Sequence, residues 1–235
     1  ALENRDDGAG ERGAAQAPQT EILTGKGGRA VKELSLNILD IAQNSLRAGA
    51  AHVEIALADR ADGLRALTVT DDGSGMDAAL LSRVTDPFST TRTTRPVGLG
   101  LPLLKLAAEQ TGGTLTVESR TAADARPGEA FAAGSAHGTR VTATFDPRHI
   151  DCVPLGDVAA TVVTLLQGDP GVSFRFSFAL CGMAEPFTLD TEQMRAALGG
   201  EVPLNAPEVL VWAGECVREA LQGAFDAGQE QAGEP

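Results

Sequence analysis

The chain has 235 residues, of which 43% are hydrophobic and 22% charged, values that are typical of globular proteins. Its formal net charge of −13 is unevenly distributed, because residues 146–235 carry 14 acidic and 4 basic side chains, a net charge of −10. Nucleic acids and anionic lipids are bound through clustered Lys and Arg, so the acidic end excludes both as partners there. We therefore expect no nucleic-acid partner and no membrane partner.

The sequence also favours a cytoplasmic location. No segment approaches the roughly 20 consecutive apolar residues that span a bilayer. The first residues lack the basic-then-apolar order of a secretory signal. The cysteines are widely separated and form no CxxC pair, which is typical of reduced thiols and argues against a zinc site or a disulfide framework; they are Cys152, Cys181 and Cys216.

Along the chain, residues 1–29 are rich in Gly, Ala and polar residues and are predicted to be a disordered lead-in. A helix is predicted over residues 31–48, where Leu34, Ile38, Ile41 and Ser45 follow one another at helical spacing. A second stripe of this helix is wholly polar and consists of Glu33, Asn37, Asp40, Asn44 and Arg47. The helix therefore presents one apolar and one polar face.

The following segments alternate between strands and helices. Strands are predicted at 52–57, 67–70, 114–118 and 139–145, and helices at 77–84 and 101–111. This order predicts an α+β fold in which helices cover one face of a mixed sheet. We assign residues 30–146 to this domain.

After residue 146 the pattern begins again. Helices are predicted at 157–166, 191–198 and 206–225, and a strictly alternating strand at 172–178 has a candidate partner at 186–189. Residues 147–226 are therefore predicted to form a small acidic α/β extension that packs on the first domain. The polar residues 227–235 are predicted to be a disordered tail.

Three polar clusters suggest a nucleotide site. Asp40 and Asn44 are separated by one helical turn, so they lie on one helix face about 5–6 Å apart, and their oxygens can hold a hydrated Mg²⁺. Residues 71–76 (DDGSGM) follow a strand, where a carboxylate can accept from an exocyclic amine and glycines let the backbone approach a ligand. Residues 86–92 (DPFSTTR) lead to a glycine turn at 98–100 that opens a helix, an arrangement that favours anions. Taken one at a time, the clusters also have purely structural explanations. The first suits a solvated helix face, the second a turn and the third an exposed loop.

Together the clusters resemble the GHKL ATPases of the Bergerat fold, which include histidine kinases, anti-sigma serine kinases, type IIA topoisomerases and MutL proteins. Residues 39–50 (LDIAQNSLRAGA) resemble the N box, 71–76 the G1 box and 86–92 the F box of histidine kinases. Residues 97–119 resemble the G2 box with its following helix and strand, and 138–145 the closing strand. The resemblance implies a Bergerat-type α/β sandwich with ATP and Mg²⁺ as cofactors.

The resemblance also implies roles for single residues. Asn44 would ligate Mg²⁺, Asp71 would recognise adenine, and Gly73 and Gly75 would make room for the base and sugar. Asp40 occupies the position where hydrolytic members carry a general-base Glu and many histidine kinases carry Asn, so it is the candidate catalytic residue. Residues 86–100 would form a lid over ATP. The remaining implied nucleotide contacts are Met76, Phe88, Thr90, Thr91, Arg92, Gly98, Leu99, Gly100, Leu101 and Thr139.

The resemblance leaves several functions open. Only residues 1–29, which contain no histidine, precede the predicted domain, so we expect a stand-alone form without a dimerisation and phospho-acceptor hairpin. We therefore expect a Mg²⁺-dependent ATP-binding protein that transfers the γ-phosphate to a separate protein in bacterial signalling. The alternatives are an ATP-gated, anti-sigma-like binding module and a simple ATPase. The unidentified protein partner is expected to contact acidic residues 147–226, and the sequence leaves the oligomeric state undetermined.

Overall fold

The computed structural model describes residues 33–85, 100–126 and 128–230, with side chains described as far as residue 224. The helices of these segments are α1 Leu34–Arg47, α2 Ala78–Leu81, α3 Gly100–Gln110, α4 Val158–Gly168, α5 Thr191–Ala197 and α6 Pro207–Glu230. The strands are β1 His52–Asp59, β2 Arg65–Asp71, β3 Leu115–Arg120, β4 Gly138–Phe145, β5 Ser173–Ala179 and β6 Phe187–Asp190. The predicted lead-in at 1–29 lies outside the described residues.

The strands form one mixed sheet in the order β3-β4-β2-β1-β5-β6. Neighbouring strands are antiparallel except β1 and β5, which run parallel in the centre of the sheet. β6 pairs with β5, as the sequence suggests for residues 186–189. The α+β class and the mixed sheet are therefore confirmed.

One face of the sheet forms the core. Alternate side chains are buried along β1 and β5, and β5 contributes three phenylalanines that are 0–1% exposed, Phe174, Phe176 and Phe178. These side chains form a single hydrophobic cluster with the apolar faces of α1, α3, α4 and α6. The helices thus cover one face of the sheet, because the period of two in the strands leaves only that face apolar.

The residues that follow β4 are continuous with this sheet and core. β5 pairs with β1 over seven residue pairs, and α4 packs against both α1 and α6. The carbonyl oxygens of Pro154 and Leu155 accept hydrogen bonds from the first N–H groups of α1, at 2.9 Å from Leu34 N and 2.9 Å from Ser35 N. Since the first N–H groups of a helix have no partner inside it, this segment acts as the cap of α1.

Two details differ from the expectations of the sequence. Asn37 is 1% exposed and not part of a solvated stripe, because α1 is covered on that side as well. α6 continues to Glu230, into the segment predicted as a disordered tail, and the Ala, Gln and Glu of that turn suit a helix. Within the described ranges, no helix has the length and apolar character needed to cross a membrane.

Candidate functional site

A buried carboxylate lies at the end of β2. Asp71 is 5% exposed. Its Oδ2 accepts a hydrogen bond from Ser45 Oγ at 2.6 Å, and its Oδ1 accepts one from Gly73 N at 3.0 Å. Burial has the largest effect on this group and raises its pKa, although the hydrogen bonds from Ser45 and from backbone N–H groups act in the opposite direction. The result is a rigidly oriented, poorly hydrated acceptor.

The loop that follows, residues 72–76, is packed so closely that two of its residues must be glycine. A Cβ on Gly73 would lie 2.9 Å from the Cβ of Ala48. Gly75 has a φ of +69°, and a Cβ there would collide with the carbonyl oxygen of Arg120. Protein neighbours thus account for both glycines, and their expected contact with the base and sugar stays a prediction.

Three hydrogen bonds from different elements hold this loop. Ser74 N donates to the carbonyl oxygen of Ala48 at 2.9 Å. Met76 N donates to Ser119 Oγ at 2.8 Å, and the same hydroxyl lies 2.9 Å from Thr139 Oγ1. His137 Nδ1 lies 2.8 Å from the carbonyl oxygen of Gly73, which can only accept, so Nδ1 carries the proton. The loop is therefore held in place by contacts with three separate parts of the chain.

The polar face of α1 meets the beginning of α3. Asp40 is half-buried and Asn44 is exposed. A Cβ on Gly100 would lie 3.4 Å from the Cβ of Asp40 and 3.6 Å from its Oδ2. A longer side chain at position 100 would therefore fill the space between the two helices. The N-terminus of α3, which favours negative charge, opens beside Asp40.

The side chains present suit both ATP and Mg²⁺. Asn44 Oδ1 accepts a hydrogen bond from Arg47 Nη1 at 2.8 Å and retains a second lone pair for a metal ion. With the carboxylate of Asp40 it offers oxygen donors only, the type that Mg²⁺ prefers. The carboxylate of Asp71 accepts from Ser45 and from the backbone of Gly73 and Thr139, and its two oxygens have capacity for a further donor.

The structure brings the predicted residues together in part. Asp71, Met76 and Thr139 belong to one hydrogen-bonded network, while Asp40 lies beside Gly100 and Asn44 lies one turn further along α1. Leu101 is buried in the core and contributes packing. The predicted lid contacts Phe88, Thr90, Thr91, Arg92, Gly98 and Leu99 lie outside the described residues.

Sequence reasoning missed three side chains of the network: Ser45, Ser119 and His137. Ser45 falls on the apolar stripe of α1. A hydroxyl at such a core position is the one feature of the sequence that could have indicated a buried polar contact. Ser119 and His137 contact the loop at separations of 43 and 64 residues, so no local pattern marks them.

Comparison with known proteins identifies the class of domain. The family model described as histidine kinase-, DNA gyrase B-, and HSP90-like ATPase matches residues 28–149. This range covers just over half of the chain and contains the buried carboxylate, the glycine loop and the polar face of α1. The chain belongs to this family, and the matched region is its ATP-binding domain.

Among curated proteins, the chain is similar to segments of sensor kinases. It is 32% identical over 91 residues to the tetrathionate sensor histidine kinase TtrS of Salmonella typhimurium, which covers 39% of this chain and 15% of that protein. It is 42% identical over 59 residues to the sensor protein kinase FleS of Pseudomonas aeruginosa, which covers 24% of this chain and 14% of that protein. The chain thus matches only about a seventh of the length of these relatives.

Solved structures include two with partial similarity. The Aquifex aeolicus MutL ATPase domain complexed with ADP has a TM-score of 0.43 at 14% identity, over 70% of this chain and 68% of that one. The mycobacterial sensor histidine kinase MprB has a TM-score of 0.34 at 24% identity, over 46% of this chain and 66% of that one.

Proposed function

We propose that the chain binds ATP with Mg²⁺ and transfers the γ-phosphate to a separate protein in bacterial signalling. The observation that carries the proposal is the buried Asp71 carboxylate with its fixed glycine loop, in a family whose matched members include sensor kinases. In this scheme Asp71 accepts from the amino group of adenine, and the phosphates extend toward Gly100 and the polar face of α1.

Asn44 and Asp40 would hold Mg²⁺, which, when bound, shields the charge of the phosphates. The half-buried carboxylate of Asp40 also lies where the chain can orient an attacking group or water. Asp departs from both the Glu of hydrolytic relatives and the Asn of many histidine kinases, and its side chain reaches less far toward a water than Glu would.

In this proposal the acceptor of the phosphoryl group lies on another protein. An acceptor nitrogen on the partner would attack the γ-phosphorus. The bond to the β–γ bridging oxygen would then break, and ADP would leave with that electron pair.

The test is incubation of the purified chain and a bacterial lysate with γ-labelled ATP, with and without Mg²⁺. Acid-labile label on a second protein, absent with the Asp71→Asn variant, supports the proposal. Nucleotide binding without label transfer or turnover would instead establish an ATP-gated binding module. Release of labelled phosphate without a labelled protein would establish a simple ATPase.

The metal role of Asn44 has a separate test. Titration of ADP with and without Mg²⁺ should show that Asn44→Ala removes the contribution of the metal to affinity. Gln43→Ala, one residue earlier on α1, is the matched control because its side chain also contacts Arg47. An equal response of the two variants would reject Asn44 as a ligand.

A further inference from the structure

The outer face of α6 combines exposed apolar and acidic side chains. The inner face of this helix is buried in the core through Val209, Leu210, Ala213, Val217 and Leu221. The opposite face carries Trp212, the only tryptophan of the chain, at 51% exposure and Val211 at 60%. Both belong to one stripe with Glu208, Glu215 and Glu219, since residues three, four, seven and eleven positions apart share a helix face.

Within the part of the chain that the structure describes, the carboxylates of this stripe have no basic partner. Glu208, Glu215 and Glu219 are exposed, and none forms an ion pair or side-chain hydrogen bond among the described residues. Arg218 is the only basic residue of α6, and it lines a cavity of about 760 Å³ on the flank of the helix together with Leu221. The stripe therefore combines an exposed aromatic ring with uncompensated negative charge.

We propose that this stripe, formed by residues 208, 211, 212, 215 and 219, is the docking surface for a protein partner with a basic, apolar-centred surface. Tryptophan is the side chain most enriched among residues that dominate binding energy, and such residues bind in pockets rimmed by complementary groups. The glutamates would pair with Lys or Arg around the pocket that receives Trp212, and would raise the association rate.

Charge decides between this partner and the other occupants of such a face. In a two-fold symmetric dimer through α6, the same glutamates of two copies would face each other, and like charges oppose that contact. Nucleic acids and anionic lipid surfaces are repelled by the same three carboxylates. A basic protein surface is the occupant that the charges attract.

The single tryptophan makes the proposal measurable, because all intrinsic tryptophan emission of the full chain comes from Trp212. The probe is a synthetic amphipathic helical peptide of leucine and lysine, and its counterpart is a leucine and glutamate peptide of equal length. We expect a blue shift of the emission with the lysine peptide, weakened by salt, and none with the glutamate peptide.

The variant Glu208→Gln/Glu215→Gln/Glu219→Gln keeps the reporter and should weaken binding of the lysine peptide at least about tenfold at low salt. The matched control Glu118→Gln/Asp169→Asn/Glu185→Gln removes three exposed acidic charges outside α6 and should bind as the wild type does. Equal weakening in both variants would show that only net charge matters and would overturn the proposal.

Other results also overturn it. They are the absence of a shift with the lysine peptide, an equal shift with both peptides, and a shift that grows with protein concentration alone, which would indicate a dimer through α6. The Asp71→Asn variant should bind the peptide normally, so this surface and the proposed nucleotide function can fail independently.

Discussion

The proposed nucleotide site depends on the carboxylate of Asp71. It is buried at the end of β2, and two donors, Ser45 Oγ and Gly73 N, hold its two oxygens. Burial raises the pKa of Asp71. The ionised carboxyl group therefore lowers the stability of the fold at pH values above its unfolded pKa, and this cost disappears as the pH falls and the group becomes protonated. A poorly hydrated carboxylate held at a net cost is typical of functional sites.

Replacing this carboxylate should weaken nucleotide binding more than folding. In Asp71→Asn the side chain keeps its size, but one acceptor oxygen becomes an NH₂ donor. This donor then faces other hydrogen-bond donors that the carboxylate accepts from in the wild type. The loss of a charged hydrogen bond is worth about 1.5–3 kcal/mol, so the Kd for ADP should rise roughly 10- to 150-fold in calorimetric titration.

Asp62→Asn, in the exposed turn between β1 and β2, is the control and should leave the Kd unchanged. Unaltered ADP affinity in Asp71→Asn, with the fold intact by circular dichroism, would reject the assignment of the adenine site.

The motif residues of the site could be predicted from sequence because they are local. Asp40 and Asn44 lie on one helical turn, and Asp71 and its glycines form a short run directly after a strand. Ser45 and His137 could not be predicted, since their partners are 26 and 64 residues away and only the tertiary fold brings them together.

His52 provides a pH-dependent contact beside this site. Its Nδ1 lies 2.7 Å from Asp72 Oδ2 and its Nε2 lies 3.3 Å from Glu192 Oε1, so the ring joins the end of β2 to α5. The hydrogen bond with Asp72 is the main cause that raises the pKa of His52. Burial acts to raise the pKa of Asp72, but the hydrogen bonds from the backbone and ring of His52 lower it overall.

The protonated ring should therefore stabilise the fold at acidic pH. A raised histidine pKa contributes stability that is complete below its unfolded pKa of about 6.5 and is lost as the pH rises through the folded pKa. Because the ring is 48% exposed, solvent screening limits the effect to at most about 1 kcal/mol. Urea unfolding between pH 5 and pH 9 should show this loss in the wild type.

The His52→Gln variant should lack this component, so the difference between the two stability curves isolates it. The variant His149→Gln leaves the contacts of His52 with Asp72 and Glu192 in place and should keep this pH-dependent component. Parallel curves for wild type and His52→Gln would contradict the assignment.

At the scale of elements, the loop at residues 72–76 is specified by close packing against β3. Gly75 lies at a positive φ and directly against the Arg120 carbonyl, so two separate constraints require glycine there. Gly112, at the end of α3, has a similar φ of +75°, but a Cβ at that position would have no atom within 4 Å. Substitutions at these two glycines can therefore distinguish the cost of backbone strain, which both share, from the cost of a steric collision, which only Gly75 has.

The Gly75→Ala variant should be destabilised more than Gly112→Ala. Both changes incur left-handed backbone strain of about 1–2 kcal/mol, and only Gly75→Ala must also displace β3. Urea unfolding should show the larger loss for Gly75→Ala, accompanied by weaker ADP binding. Equal losses of stability in the two variants would indicate that the loop at residues 72–76 moves away from Arg120 at no measurable cost.

The elements themselves were largely predictable, but their pairing was not. Alternating apolar residues predict β5 at 172–178, and the helical spacing of Leu34, Ile38 and Ile41 predicts α1. The parallel pairing of β5 with β1 joins segments about 120 residues apart, and neither strand contains a signal for the other. Periodicity identifies the buried face of a strand, whereas strand order depends on tertiary packing.

At the scale of the whole molecule, the residues after β4 support the helix that carries Asp40 and Asn44. Pro154 and Leu155 cap the N-terminus of α1, and Thr161 Oγ1 of α4 donates to the carbonyl oxygen of Ser35 at 3.1 Å. β5 covers the edge of β1 along its length. The family match ends at residue 149, yet the helix that carries Asp40 and Asn44 rests on contacts from beyond it.

Removing residues 147–235 should therefore unfold the nucleotide domain as well. The truncated chain would lack the cap of α1, expose β1 as an unpaired edge, and open the core at Val53, Ile55 and Leu57, which are 0–1% exposed. We expect no cooperative thermal transition by circular dichroism and no ADP binding. A chain ending at Glu230 is the control and should match the full chain in both measurements.

A point substitution tests the same dependence in the intact chain. Phe176→Ala removes a fully buried ring from β5, far from the site in sequence, and should cost about 3–5 kcal/mol of stability. ADP binding should restore part of that stability if the site is formed only in the folded state that includes β5.

Native ADP affinity in the 1–146 fragment would show that the nucleotide domain folds alone, and the cap and the β1–β5 pairing would then be dispensable.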